Sequence, residues 1–151
     1  MHNKKILFIL SLIILIVSAF LLISGSPLLV KPLTENSSIP MGTFITWFGM
    51  IALPLSIYLG INKLQQAANK RDQYFALLFK VLIVLAVLWV PISYALAGNL
   101  SFTFSEKATF QGGQSAMKIF WSFNIFLVIA PLTLWIVYGL LSFLYKRKIL
   151  S

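Results

Sequence analysis

The chain has 151 residues, 60% of them hydrophobic and 10% charged, with a mean hydropathy of +0.94. Soluble domains carry about 25% charged residues, so the composition excludes an ordinary water-soluble domain and leaves length for one compact membrane bundle. A formal charge of +9 does not indicate nucleic acid, because the basic residues stand at the ends of apolar runs, where membrane topology puts them.

Taken in order, the chain opens with a continuous apolar run, Ile6 to Ser24, behind Lys4 and Lys5. The triad Ser24-Gly25-Ser26 has the small-x-small form of a signal cleavage site. The run, however, exceeds the ~7–15 residues of a signal core and more spans follow, so it is read as the first transmembrane helix. A proline-rich connector leads to the second span, Gly42 to Ile61, long enough to cross the ~30 Å hydrocarbon layer. Residues 62–73 are polar and basic, with a helix-favouring Leu64-Gln65-Gln66-Ala67-Ala68 core. The third span is Tyr74 to Ala97 and the fourth Ile119 to Tyr145, which ends in Lys146-Arg147-Lys148. The fourth exceeds the hydrocarbon thickness and is expected to tilt or protrude. The fold class expected is an all-α integral membrane protein, a four-helix bundle forming one domain over 1–151, with a short β-hairpin-like loop outside the membrane.

Nine Lys and Arg residues flank one set of span ends: Lys4, Lys5, Lys63, Lys70, Arg71, Lys80, Lys146, Arg147 and Lys148. Lys31, Lys107 and Lys118 flank the other, alongside Glu35 and Glu106. The positive-inside rule places the larger set, and both termini, in the cytoplasm of a bacterial inner membrane, with loop 99–118 outside.

Chemistry has little to work with. Cysteine is absent and the one histidine is His2, so thiolate nucleophiles, disulfides and Cys- or His-ligated metals in the spans are excluded. Glu35, Asp72 and Glu106 fall in three separate connections, and no pair is spaced for general acid–base catalysis. No catalytic, cofactor-binding or metal-binding residue is expected. Lys80 lies inside the third span and is read as snorkelling to the headgroups, with an ion or partner site as the other reading.

Three spans repeat a proline followed two residues later by a hydroxyl: Pro54/Ser56, Pro91/Ser93 and Pro131/Thr133. These are either kinks that open a groove or ordinary membrane-helix composition. Ala52, Ser56 and Gly60 form a stripe of small residues that admits another helix closely. Its partner is a helix of the same bundle, a second copy, or another protein. Asn124 is expected to make an interhelical hydrogen bond. In the loop, Leu100, Phe102 and Phe104 alternate with polar residues. Pairing Phe104 with Ala108, Phe102 with Phe110 and Leu100 with Gly112 puts the apolar side chains on one hairpin face. Phe102, Phe104, Phe110, Ala52, Ser56 and Gly60 are therefore the candidate partner-binding residues.

The proline-broken IALPLSIYLG running into INKLQQAANKRDQ, the outward NLSFTFSEKATF and the terminal YKRK resemble the immunity proteins of pore-forming colicins, of the colicin A and N type. The resemblance lies in arrangement and residue type. It implies a small basic four-helix inner-membrane protein that meets a membrane-inserting toxin and stops its pore from opening. The competing reading is a structural or accessory subunit of a secretion, respiratory or transport complex. Both invoke the lipid bilayer and another membrane protein or a homo-oligomer, without an enzyme, cofactor or nucleic acid. Topology reporters fused after Lys70 and Ser105 are expected to give cytoplasmic and exterior signals respectively. The reverse pattern would refute the charge argument.

Overall fold

The computed structural model describes residues 2–35, 39–102, 104 and 110–150. These form six helices: α1 (His2–Ile23), α2 (Met41–Gly60), the single turn α3 (Asn62–Gln65), α4 (Lys70–Val87), α5 (Trp89–Ala97) and α6 (Gly113–Leu150). Three helices are long and apolar enough to cross a membrane, and a fourth span results if the bent pair α4–α5 is counted as one. The described residues of the α1–α2 and α5–α6 connections lie together at one end of the bundle, called here the loop end. The connection 61–69 lies at the other, the basic end.

Each helix boundary has a local cause. At the end of α1, Gly25 adopts φ +60°. The N–H of Ser26 reaches the carbonyl of Leu21 (3.2 Å) and that of Gly25 the carbonyl of Leu22 (3.4 Å). This is a Schellman cap, which needs a residue free to turn left-handed. The small triad is thus a helix stop in this fold. Beyond it the connector folds back on itself. Leu33 donates to Ile39 (2.9 Å) and Met41 to Lys31 (2.9 Å), which brings the chain into α2.

The third expected span is broken. α4 and α5 meet at Leu88 with a bend of 46°. Pro91 lacks an N–H and cannot bond the carbonyl of Val87, four residues earlier. That carbonyl instead accepts the indole N–H of Trp47 from α2, at 3.1 Å. A neighbouring helix thus meets the backbone demand that the proline creates. Pro54 and Pro131 lie buried inside α2 and α6 without breaking either helix. The hydroxyl of Ser56 bonds the carbonyl of Leu53 (3.0 Å), not the one freed by Pro54. The repeated proline pattern therefore has one outcome in α5 and another in α2 and α6.

α1 packs chiefly against α2, antiparallel. A Cβ placed on Gly49 would sit 2.8 Å from the Cβ of Ser18, and one on Gly60 would sit 3.1 Å from the ring of Phe8. Close backbone approach through small residues is how helices associate where lipid removes the hydrophobic drive. Ser11 and Ser18 are both buried on the inner face of α1, seven residues apart, as Gly49 and Ser56 are on α2. α6 spans about 57 Å at ~1.5 Å per residue, well beyond a bilayer's hydrocarbon core, and it projects from the bundle at the basic end.

Gly49→Leu is expected to force α1 off α2. The overpacking costs about 1–3 kcal/mol and is read as a lower unfolding temperature in detergent. Leucine at the open Gly139, where an added Cβ meets nothing within 4 Å, is expected to leave it unchanged.

Candidate functional site

Polar bonds tie α6 to the rest of the bundle at two points. Between them Leu127 and Pro131 are buried against the bundle, and the exposed flanks of that stretch are the candidate site. The first tie is at the loop end. The indole of Trp89 on α5 donates to the Asn124 side-chain carbonyl at 2.9 Å, and the Asn124 amide donates back to the carbonyl of Phe120 at 2.7 Å. This is the interhelical bond expected of Asn124. Around it stand Phe102, edge-on to Trp89 with ring centres 5.0 Å apart, and Phe120, which meets Phe102 at 5.8 Å and Phe110 at 5.1 Å. Edge-to-face rings at such distances add to what area burial alone contributes.

The loop is strapped onto this cluster. The side-chain oxygen of Asn99 accepts the N–H groups of Ser101 and Phe102, both at 3.0 Å. Thr43 of α2 donates its hydroxyl proton to the carbonyl of Leu100 at 2.7 Å. Phe102 has φ +45° and its ring points inward, 1% exposed. Gly98, at φ +73°, caps α5 by donating to Tyr94 (2.7 Å). The Gln111 side chain lies where any Cβ on Gly98 would stand.

The second tie is at the basic end. Asn69 caps α4, its side-chain oxygen accepting from the N–H of Asp72 at 2.8 Å while its amide donates to the Asp72 carboxylate at 2.9 Å. Arg71 pairs with the same carboxylate at 3.1 Å. The Tyr138 hydroxyl of α6 donates to it at 3.1 Å. Asp72 is 3% exposed and is the one charged residue buried among the described residues. Three donors and the positive end of α4 compensate its desolvation. The Arg71 guanidinium also lies 5.6 Å from the Tyr138 ring centre and 5.4 Å from that of Tyr145, within cation–π range.

Between the ties α6 is flanked by clefts. One, about 460 Å³, lies at the loop end and is walled by Leu22, Thr46, Met50, Phe104, Ile125 and Val128. A second, about 330 Å³, continues the same side toward the basic end between α1 and α6, with Leu53, Ile57, Phe8 and Trp135 in its walls. α2 is the floor of both. A third, about 640 Å³, separates α6 from α4 and includes Leu82, Leu85, Phe126 and Ala130. In the first, Thr46 is 8% exposed, and its hydroxyl oxygen is buried without a hydrogen-bond partner among the described residues. The rest of the lining is mostly apolar, with Asn124 beside Thr46. The arrangement can hold a hydrocarbon chain or a helix.

The sequence-derived candidates divide. Phe102 belongs to the core and is not presented at the surface, and Phe110 is half-buried against Phe120. Phe104 is half-buried in the wall of the first cleft, beside Gly42. Ala52 and Ser56 are buried, while Gly60 is exposed next to Phe8. The stripe thus has two buried members, and its third lies beside Phe8 of α1, with Ser56 and Gly60 also in the walls of the second cleft. Residues 99–104, as far as described, form turns, and no strand occurs among the described residues. The hairpin turn expected at Ser105-Glu106-Lys107 and the pairing partner Ala108 lie outside the described residues.

Sequence reasoning did not identify the Asp72–Tyr138 pair, whose partners are 66 positions apart. Its local signal is Asn69-x-x-Asp72, a polar start to a helix. No protein-family model, curated protein or solved structure matches this chain.

Trp89→Phe removes a donor and leaves the Asn124 carbonyl buried and unpaired, at a cost of about 1–3 kcal/mol. The double variant Trp89→Phe/Asn124→Leu is expected to recover part of that loss in detergent unfolding. Strict additivity of the two single changes would argue against the coupling.

Proposed function

We propose that this chain is a non-enzymatic, multi-pass protein of the bacterial inner membrane that acts by helix contact with another membrane-inserted protein, and that the partner is a pore-forming toxin of the colicin A or N type. The observation that carries the reading is the open flank of α6. Ile125, Val128, Ile129 and Trp135 are exposed beside clefts floored by α2, and the ties at Asn124 and Tyr138 hold that flank in place. Within lipid, helices associate by shape and polar contact. A preformed cleft supplies the shape to an entering helix, with Thr46 and Asn124 as the polar residues of its lining beside the two indoles. The nine-to-three distribution of Lys and Arg supports cytoplasmic termini and an external loop 99–118. In that orientation the first cleft opens at the outer leaflet, where a toxin helix arrives.

A second reading, an accessory subunit of a larger membrane complex, draws on α1. It rests chiefly on α2 and turns Ile9, Ile13, Ile16 and Phe20 outward, a face that a permanent neighbour or second copy would cover.

Expression of the chain is expected to protect cells from depolarisation by one specific pore-forming toxin. Val128→Trp, which fills the cleft, is expected to weaken protection about tenfold or more, equivalent to ~1.4 kcal/mol of binding, with insertion unchanged. Purification in mild detergent as a fixed-stoichiometry complex, with no toxin resisted, would overturn the immunity reading in favour of the accessory one.

A further inference from the structure

Lys80 is the one charge in the apolar stretch from Tyr74 to Val87. It lies ten residues, about 15 Å at ~1.5 Å per residue, from the start of α4. Helical side chains lean toward the helix N-terminus, which for α4 is the basic end, so Lys80 leans toward the headgroup level there. On the same face, Gln73 and Leu77 precede it by seven and three residues. These three line a cavity of about 390 Å³ between α4 and the α2–α3 turn, opposite Tyr58 and Gln65. Unlike the clefts along α6, this cavity has a substantial polar lining.

A cation at that depth calls for an anion, and among the described residues of this chain no acid pairs with it. Its three acids are Glu35, Asp72 and Glu106. Glu35 belongs to the loop-end connector and Glu106 to the α5–α6 connection. Asp72 is occupied by Asn69, Arg71 and Tyr138. Lys80 has no ion pair among the described residues. The side chains around it are rich in donors. Gln65 and Gln73 each spend one amide N–H on a backbone carbonyl, of Leu59 and Ala67 respectively. A second N–H remains on each, beside the Tyr58 hydroxyl and the Lys80 ammonium. Just beyond, Leu77, Val81 and Val84 form an exposed apolar strip on α4.

We infer that this cavity is a binding site for the phosphate of an anionic phospholipid in the leaflet at the basic end, with Lys80 as its counter-charge and one acyl chain along Leu77, Val81 and Val84. Basic pockets between membrane helices on the cytoplasmic side are where such headgroups bind. The inference rests on the membrane-spanning reading but not on the toxin partner, and it concerns a different face of the bundle from the α6 clefts.

Native mass spectrometry of the full chain in detergent tests it, titrating dioleoyl-phosphatidylglycerol, dioleoyl-phosphatidylcholine and inorganic phosphate. Phosphatidylglycerol is expected to bind about five- to tenfold more tightly than phosphatidylcholine, the effect of roughly one lysine at a charged surface. Lys80→Gln should abolish that preference, whereas Lys80→Arg and Lys4→Gln should retain it. Equal binding of both lipids, an unchanged preference in Lys80→Gln, or displacement of the lipid by millimolar inorganic phosphate would each overturn the assignment. Release of the chain from membranes by alkaline carbonate would instead refute the membrane-spanning reading, so the two failures are distinguishable.

Discussion

The hydrogen bond between the Trp89 indole and the Asn124 carbonyl is the contact on which the loop end depends. It joins α5 to α6 inside an apolar environment, where an unpaired amide or indole N–H is costly. Its geometry fixes the Trp89 ring, and that ring in turn seats Phe102 and Phe120. The bend at Leu88 brings Trp89 to this position. Pro91 causes the bend, and Trp47 makes it tolerable by bonding the carbonyl left over at Val87. Proline, bend, tryptophan and asparagine form one linked device.

The basic end is held by opposite means. There the tie between α4 and α6 is a hydrogen bond from the Tyr138 phenol to the Asp72 carboxylate, which Asn69 and Arg71 at the start of α4 also hold. A buried carboxylate is a poor source of net stability but a source of specificity, since removing one of its partners leaves its charge less compensated. Tyr138 is the residue of α6 bonded to Asp72, and the pair fixes the register of α6 against α4 at that end. Held at both ends, α6 presents clefts along its flanks.

The polar resources of the chain are spent on holding helices at fixed separations, and the surfaces so created are apolar or, around Lys80, donor-rich. A helix and a phospholipid are the two kinds of ligand a bilayer supplies, and the two kinds of cavity match them. Of the residues that look from sequence like a binding face, Phe102, Ala52 and Ser56 are drawn inside to build that frame, while Phe104 stays half-buried in a cleft wall and Gly60 is exposed.

The sequence by itself determined that the apolar runs of about 20 residues become helices long and apolar enough to cross a membrane, though not that the third run breaks into α4 and α5. It also determined that Asn124 needs an interhelical partner and that Pro91 frees the Val87 carbonyl. Both are consequences of local hydrogen-bond supply, readable residue by residue. Only the tertiary structure decided which groups answer those needs. Trp47 lies 40 positions from Val87, Trp89 lies 35 from Asn124 and Tyr138 lies 66 from Asp72. It also decided that Phe102 turns inward, since Asn99 curls the backbone into a turn that period-two alternation cannot reveal. Pairing partners depend on how helices are brought side by side, and periodicity along one helix carries no record of its neighbour.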